Sequence, residues 1–354
     1  MAYTSIDDPT TSFNTALFTG TTNAQSITGV GFQPGMTWIK VRDSTAYLVV
    51  QDSVRGATGT DSYVMITQAA AIDVSDAITS FDSDGFSVGT DSNDRSNFNG
   101  QTHVAWNWKA GTSFSNDASS TGIGSVDSSG KVDDTSGFSI VSWTGTGANA
   151  TVKHGLSTAP SWILVKNIGD GGENWVSFHS SLGPTLNQKF NNTEANQDTT
   201  GSWNDTAPTT SVFTVGSFTN VNKSSGPMIA YCWAEKQGYS KFGSYTGNGN
   251  ADGTFVYTGF KPAWLMVFAY QAGNENWIMV DNKRDGFNVE NEQLFPNTSG
   301  AEESNDEVDL LSNGFKLRRA NTRMNGSIPY IYMTFAENPF VATSGSKGVP
   351  VTAR

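Results

Sequence analysis

The side chains best suited to metal binding or acid–base chemistry are three histidines, His103, His154 and His179. No two of them are four residues apart, and Cys232 is the single cysteine, so the spacing typical of a zinc site is missing. His154 precedes a Gly-Leu pair, where an imidazole can hydrogen-bond the end of a strand. The sequence therefore predicts structural histidines rather than metal ligands.

Two patterns typical of hydrolases occur in the sequence, but each lacks a required partner. Residues 85–89 read Gly-Phe-Ser-Val-Gly, as in a nucleophile elbow, yet no helical pattern follows Ser87. Sugar hydrolysis needs two carboxylates about 5–10 Å apart in one cleft. The best-matched pair, Glu235 and Glu337, ends two similar strands that lie far apart in the chain. We therefore predict that the protein is not an enzyme.

Other charged groups have simpler structural explanations. Asp52 and Arg55 share their spacing with Asp281 and Arg284, and in both pairs a glycine follows closely. This spacing predicts an ion pair that fixes a turn. The acidic residues of segment 302–309 are predicted to lie in a solvated loop.

One loop has the composition of a calcium site. Asn248, Asn250 and Asp252 alternate oxygen-bearing side chains ahead of Gly253, as a calcium loop does. The bidentate glutamate that completes the common 12-residue loop is missing, and Asx-rich turns also form for backbone reasons. We predict no cofactor, with calcium at this loop as the alternative.

Three aromatic residues outside the core strands could recognise a sugar. Trp175, Trp203 and Tyr270 lie near turn-forming Asn, Asp, Gly and Ser residues, and Trp203 is expected to be exposed. Aromatic rings stack on the apolar faces of sugars, while the polar loops would bind hydroxyl groups. These residues are the candidate carbohydrate site.

The composition excludes several classes of partner. The chain has 354 residues, with 21 Lys and Arg against 33 Asp and Glu, which gives a net charge of −12. Such a surface repels phosphate, so neither nucleic acid nor an anionic membrane is an expected partner. No apolar run approaches the roughly 20 residues needed to cross a bilayer, and the N-terminus lacks the pattern of a signal peptide.

The elements that must position these groups are short strands. Apolar runs of strand length, rich in aromatic and β-branched residues, are bounded by Gly, Asn, Asp or Ser and lie at 37–41, 47–50, 162–165, 264–270, 277–280 and 330–335. This pattern predicts an all-β protein, and the Ala-rich composition of residues 68–78 also suits a short helical turn. Strand alternation predicts that Trp106 and Trp108 point inward and Asn107 outward.

The sequence repeats itself three times. Aromatic-Thr-Gly triplets end at Gly20, Gly145 and Gly247, and the last aromatic residue of each copy follows 88 positions later, at Trp108, Trp233 and Phe335. A tryptophan that starts an apolar strand lies between them in every copy, at Trp38, Trp162 and Trp264. Equal spans of this kind indicate one structural unit written three times.

We therefore predict three tandem β-sandwich units of the jelly-roll or lectin-like kind. The units span residues 16–110, 138–238 and 239–341. Residues 1–15 are predicted to be an N-terminal arm that docks on a neighbouring subunit, 111–137 a flexible Ser/Gly-rich linker, and 342–354 a C-terminal tail.

Several segments resemble the tail-fibre-like virion structural proteins of tailed bacteriophages, especially marine ones. They are residues 6–15, 245–249, 257–264, 312–316, 330–340 and 350–354. The resemblance implies a protein that is assembled in the host cytoplasm into the virion and binds other virion proteins. It carries no functional residues with it.

From this resemblance we expect a tail or fibre component that contributes to attachment to the host surface, with a surface glycan as the candidate receptor. The usual symmetry of fibres suggests a homotrimer. The alternatives are a capsid decoration or cement protein and, in a different class, a polysaccharide-degrading spike enzyme. No membrane insertion is expected.

Overall fold

The computed structural model describes residues 4–57, 63–65, 76–91, 95–169 and 172–341, and it is almost entirely antiparallel β-structure. The predicted all-β class is confirmed. The helices in these ranges are short, and none is long and apolar enough to cross a membrane.

The first segment has a larger and a smaller sheet. Its elements are a 3-10 turn (Pro9–Thr11) and strands β1 (Phe13–Thr19), β2 (Gln25–Thr28), β3 (Met36–Val41), β4 (Val49–Asp52), β5 (Tyr63–Met65), β6 (Ile78–Asp82), β7 (Gly85–Val88) and β8 (Thr102–Trp108). The larger sheet has the order β1-β8-β3-β4-β5, and the smaller one β2-β7-β6.

The second segment repeats this plan with additional strands. Its elements are β9 (Thr112–Asn116), α1 (Ala118–Thr121), β10 (Ser128–Asp133), β11 (Phe138–Thr144), β12 (Ala150–Lys153), β13 (Trp162–Asn167), β14 (Val176–His179), β15 (Leu186–Lys189), β16 (Gln197–Asp198), α2 (Thr200–Trp203), β17 (Val212–Val215), α3 (Thr219–Asn222) and β18 (Pro227–Trp233). The larger sheet has the order β16-β15-β14-β13-β18-β11-β10-β9, and β12 pairs with β17.

The third segment has two four-stranded sheets. Its strands are β19 (Ser240–Thr246), β20 (Phe255–Tyr257), β21 (Phe260–Phe268), β22 (Ile278–Asp281), β23 (Glu290–Gln293), β24 (Glu303–Leu311), β25 (Gly314–Leu317) and β26 (Pro329–Pro339). The sheet orders are β19-β26-β21-β22 and β20-β25-β24-β23. When the strands of the second segment are counted from β11, after the β9–β10 hairpin, the central order of the larger sheet in all three segments is therefore first strand, last strand, third strand, fourth strand.

Strand register corrects the alignment of the segments at the third strand. Asp52 lies opposite Met36, and Asp281 lies opposite Trp264. Met36 also pairs with Trp108, whereas Trp38 pairs with Trp106. Met36, not Trp38, is thus the counterpart of Trp264, so the match at Trp38 was wrong by two residues, whereas Trp162 and Trp264 do correspond.

The central strands of each larger sheet are buried on both faces. One face packs on the smaller sheet of its own segment, forming three separate apolar clusters. The opposite faces of all three larger sheets meet in one central cluster. Within it the indole of Trp108 lies edge-on to those of Trp233 and Trp264, at centroid distances of 6.1 and 5.8 Å. Asn107 is also fully buried, between its two sheets, so the prediction that it points outward was wrong.

The predicted flexible linker, residues 111–137, is an ordered hairpin. β9 pairs with β10, and β10 pairs with β11, so the hairpin extends the larger sheet of the second segment. Its Ser and Gly content suits tight turns, such as the left-handed Gly122 that ends α1. The linker prediction was therefore wrong.

The predicted N-terminal arm also packs on its own chain. Ile6 belongs to the central cluster, and Phe13 stacks on Phe335 of the third segment at 4.8 Å. The Asp8 side chain accepts a hydrogen bond from the Thr10 N–H and begins the 3-10 turn. Residues 4–15 are thus part of the folded body and not a separate arm, and docking on a neighbouring subunit stays a prediction. The C-terminal tail and most of the doubtful helical stretch, residues 68–75, lie outside the described residues.

Candidate functional site

The most organised buried polar groups lie in the turns that follow the fourth strands. In the first segment Asp52 Oδ1 accepts hydrogen bonds from the N–H groups of Val54 and Arg55, and Oδ2 lies 2.5 Å from Arg55 Nε. Asp281 and Arg284 make the same contacts in the third segment, with 2.6 Å between Oδ2 and Nε. The predicted turn-fixing ion pairs are confirmed.

Each of these carboxylates also binds a second segment. Asp52 Oδ2 accepts a hydrogen bond of 2.7 Å from the Tyr231 hydroxyl, in β18 of the second segment. Asp281 Oδ2 accepts one of 3.1 Å from the indole N–H of Trp106, in β8 of the first segment. The turns therefore join neighbouring segments as well as fixing their own geometry.

His179 takes the corresponding position in the second segment, opposite Trp162. Its Nε2 lies 3.2 Å from the Tyr332 carbonyl oxygen in β26, and its Nδ1 accepts a hydrogen bond from the Ser181 N–H. Nε2 must then carry the proton that it donates. The first segment contacts the second, the second the third, and the third the first, which closes a cycle of three joints around the central cluster.

The joint between the third and first segments continues into a charge network. Arg284 Nη1 lies 2.7 Å from Glu302, whose carboxylate forms a two-pronged pair with Arg42 of the first segment. Burial alone would raise the pKa of Glu302, but the guanidinium groups of Arg42 and Arg284 outweigh it and lower the pKa. The carboxylate is therefore held ionised between two cations.

Burial keeps the three histidines neutral. It lowers the pKa of His103, His154 and His179 to about 4 in each case. His154 accepts the Leu156 N–H at Nδ1, with its Nε2 3.1 Å from the Thr209 carbonyl oxygen, which is the strand-end role that the sequence predicts. All three imidazoles make structural contacts.

Two of the three candidate sugar-binding residues are core residues. Trp175 is fully buried in the central cluster, and Trp203 is buried in the sandwich core of the second segment, edge-on to Phe178. Neither indole face is open to a ligand, so the expectation that they form a sugar platform was wrong. Tyr270 is partly buried against the central cluster, and its role remains a prediction.

The candidate calcium loop forms an Asx turn. Asn248 Oδ1 accepts the Asn250 N–H, and Asn248 Nδ2 donates to the main-chain oxygen of Asp252. The Asp252 carboxylate lies 2.6 Å from the ammonium of Lys316, a cation of the protein itself. Among the described residues, no group of three or more His, Cys, Asp or Glu side chains is arranged to hold a metal.

Three buried asparagines were missed by sequence reasoning. Asn97, Asn222 and Asn325 are fully buried, and each accepts through Oδ1 the N–H that follows the aromatic-Thr-Gly triplet of its segment. A Cβ on any of the three triplet glycines would lie 2.1 Å from a carbonyl oxygen, so only glycine allows this approach. The signal was present, because each asparagine follows its glycine by 77 or 78 positions.

Two further acidic or hydroxyl groups were assigned from sequence. Ser87 is a residue of β7 whose hydroxyl bonds Asp82 at 2.7 Å, as expected of a strand residue rather than an elbow. The acidic segment 302–309 is mostly strand β24, and Glu307 is buried against Asn321, so a solvated loop was wrong. Burial, followed by Asp285 and Asp281, raises the pKa of the missed residue Glu290 to about 8.

Comparison with known proteins gives a family and no function. No curated protein matches the chain. A protein-family profile described as "Domain of unknown function (DUF7483)" matches residues 8–339, which include all three segments. The chain therefore belongs to the DUF7483 family.

Proposed function

We propose that the protein is a non-enzymatic structural component of a tailed-phage particle, located at the tail or fibre, where it contributes to attachment to the host surface. The observation that carries the proposal is the closed cycle of three sandwiches around one aromatic core. Such a body resists deformation because no segment can move without breaking buried contacts to the other two. That property suits a particle component, and the sequence resemblance to virion proteins supports the same role.

The use of the acidic groups supports a structural rather than a catalytic role. The carboxylate oxygens of Asp52 and Asp281 accept hydrogen bonds from N–H groups of their own turns and from a side chain of a neighbouring segment, and each also pairs with a guanidinium. Glu302 is held between two arginines. Groups fixed in this way are poor proton donors or nucleophiles, because the reaction would have to break the ion pairs first.

The net charge of −12 supports a position on the outside of a particle. An acidic surface repels the packaged nucleic acid and stays soluble at the high local concentration of an assembled shell or tail. A homotrimer remains our proposal for the oligomeric state. Light scattering coupled to size-exclusion chromatography measures it directly.

Quantitative mass spectrometry of purified particles tests the proposal. We expect the protein in the virion at on the order of dozens of copies, the number that a tail organelle with cyclic symmetry accommodates. A count in the hundreds would place it on the capsid as a decoration protein. Its absence from particles, or turnover of host polysaccharide by the purified protein, would contradict the proposal.

A further inference from the structure

The β9–β10 hairpin distinguishes the second segment from the other two. In the first and third segments the first strand, β1 or β19, is the edge of the larger sheet among the described residues. In the second segment the corresponding strand β11 is not at the edge, because β10 pairs with it and β9 pairs with β10. Since two sandwiches form without a hairpin, the extra residues are free to serve another purpose.

The hairpin forms one wall of an open groove of about 400 Å³. This volume falls within the roughly 300–1,000 Å³ typical of small-molecule sites. The groove lies where β9, β10, β11 and β18 present neighbouring residues at one end of the sheet. Its walls combine a polar and an apolar surface, each of which constrains the ligand.

A row of serine hydroxyls crosses three strands in the groove. Ser129 lies opposite Ser115 on one side and Ser142 on the other, so the three side chains share a face of the sheet. The hydroxyl oxygens of Ser129 and Ser142 are 3.2 Å apart. Two exposed carboxylates, Asp117 and Asp127, also line the groove. Hydroxyls donate and accept, whereas carboxylates only accept, so this wall favours a ligand with many O–H donors.

The apolar wall is rigid. Trp143, Ile168 and Met228 line the groove and are 5, 8 and 1% exposed. Trp143 packs edge-to-face on Phe213 at 5.6 Å, which fixes its ring. The side chains of Trp143 and Met228 belong to the sandwich core of the second segment, on the face of the sheet opposite the serine row, whereas Ile168 belongs to the central cluster. Ile168 is therefore the buried apolar side chain on the face that carries the serines.

We propose that this groove binds a neutral oligosaccharide. Such a ligand offers hydroxyl donors to Asp117 and Asp127, both donors and acceptors to the serine row, and apolar ring faces to the side chain of Ile168. The two carboxylates disfavour anionic sugars through like-charge repulsion. The inference rests on the attachment role proposed above and assigns that role to this groove. None of the earlier candidates, Trp175, Trp203 and Tyr270, lines the groove.

Saturation-transfer NMR on the full chain tests the proposal, with neutral trisaccharides of glucose, mannose, galactose and N-acetylglucosamine as probes and trigalacturonic acid as the anionic comparison. We expect transfer to at least one neutral trisaccharide and none to the anionic one. Ser129→Tyr fills the groove from an exposed strand position and should weaken binding by at least about tenfold. The matched control is Ser26→Tyr, at an exposed serine paired with Ser87 across two strands outside the groove; it should change the affinity less than about twofold.

Failure of every neutral trisaccharide to bind would overturn the inference, as would binding that Ser129→Tyr leaves intact or preference for the anionic sugar. The particle inventory is a separate measurement. If the protein is present in virions but binds no sugar, only this inference is contradicted. If it binds sugar but is absent from virions, only the proposed function is contradicted.

Discussion

Asp281 and His179 each join their own segment to a neighbouring one, but they do so with different chemistry. Asp281 ends β22 and accepts a hydrogen bond from Trp106 of the first segment. His179 ends β14 and bonds the main-chain oxygen of Tyr332 in the third segment. Asp281 is an ionised group locked to Arg284, while His179 is kept neutral by burial. The position therefore requires a buried group that bonds its own turn and a neighbouring segment, and charge is optional. The two joints differ in how much free energy of unfolding is lost when a bonding partner is removed.

The largest expected effect is at the ionic joint. Arg284→Met leaves Asp281 and Glu302 without the guanidinium that both contact, and stranding a buried charge costs about 3–5 kcal/mol. Urea denaturation measures the change in the free energy of unfolding. A loss below about 1 kcal/mol would show that the joint is not ionic in solution.

The neutral joint at His179 should make the stability of the protein depend on pH. The pKa of His179 is about 4 in the folded protein and near its ordinary value of 6.5 in the unfolded chain. Above 6.5 both states are neutral; as pH falls from 6.5 towards 4 the unfolded state takes up the proton, so stability is lost in this window. A shift of this size corresponds to as much as about 3 kcal/mol. His179→Gln should flatten part of the slope measured by urea denaturation between pH 7 and 4.

The other two buried histidines contribute in the same direction, so the slope should be reduced and not abolished. Glu290 contributes with the opposite sign, because its folded pKa of about 8 lies above its ordinary value and its stabilisation is lost as pH rises. Glu290→Gln, measured in parallel, should change stability more at pH 8 than at pH 5. An unchanged acid slope in His179→Gln would contradict the neutral joint.

Removing a single hydroxyl between segments should have a smaller effect. Tyr231→Phe keeps the ring and deletes the hydroxyl that donates to Asp52, for an expected cost of about 1.5–3 kcal/mol because the acceptor is charged. Tyr332→Phe is the matched control on the third segment, since it leaves the main-chain oxygen that binds His179 in place. Equal melting temperatures for the two variants would argue against the Tyr231–Asp52 contact.

The smallest effect is expected at a surface pair. Arg318 pairs with Asp309 at 3.4 Å, and the arginine side chain is 40% exposed. Solvent screens this pair, so Arg318→Met should cost no more than about 1 kcal/mol. A loss comparable to that of Arg284→Met would show that burial is not what separates the two ion pairs.

Much of the local structure could be predicted from the sequence. Short aromatic and β-branched runs correspond to strands, and the Asp-Arg spacing identified two turns, because these depend on residues close together in the chain. What could not be predicted depends on partners far away. Asn107 is buried because a second sheet covers it, and Asp52 bonds Tyr231 of another segment.

The candidate sugar site was wrong at Trp175 and Trp203 for the same reason. Turn-forming neighbours made Trp203 look exposed, but a turn can lie over a core as well as over solvent, and Phe178 packs on this indole. The Ser/Gly-rich hairpin was taken for a linker because its composition suits turns and flexible chains alike. Its pairing with β11 is what orders it.

Hydrogen exchange under increasing denaturant tests the central claim most directly. If the three sandwiches share one core and three joints, the amides of β8, β18 and β26 should lose protection together, with one free energy of opening. Exchange of one of these strands at clearly lower denaturant than the other two would mean that its segment opens alone, and the closed cycle would be refuted.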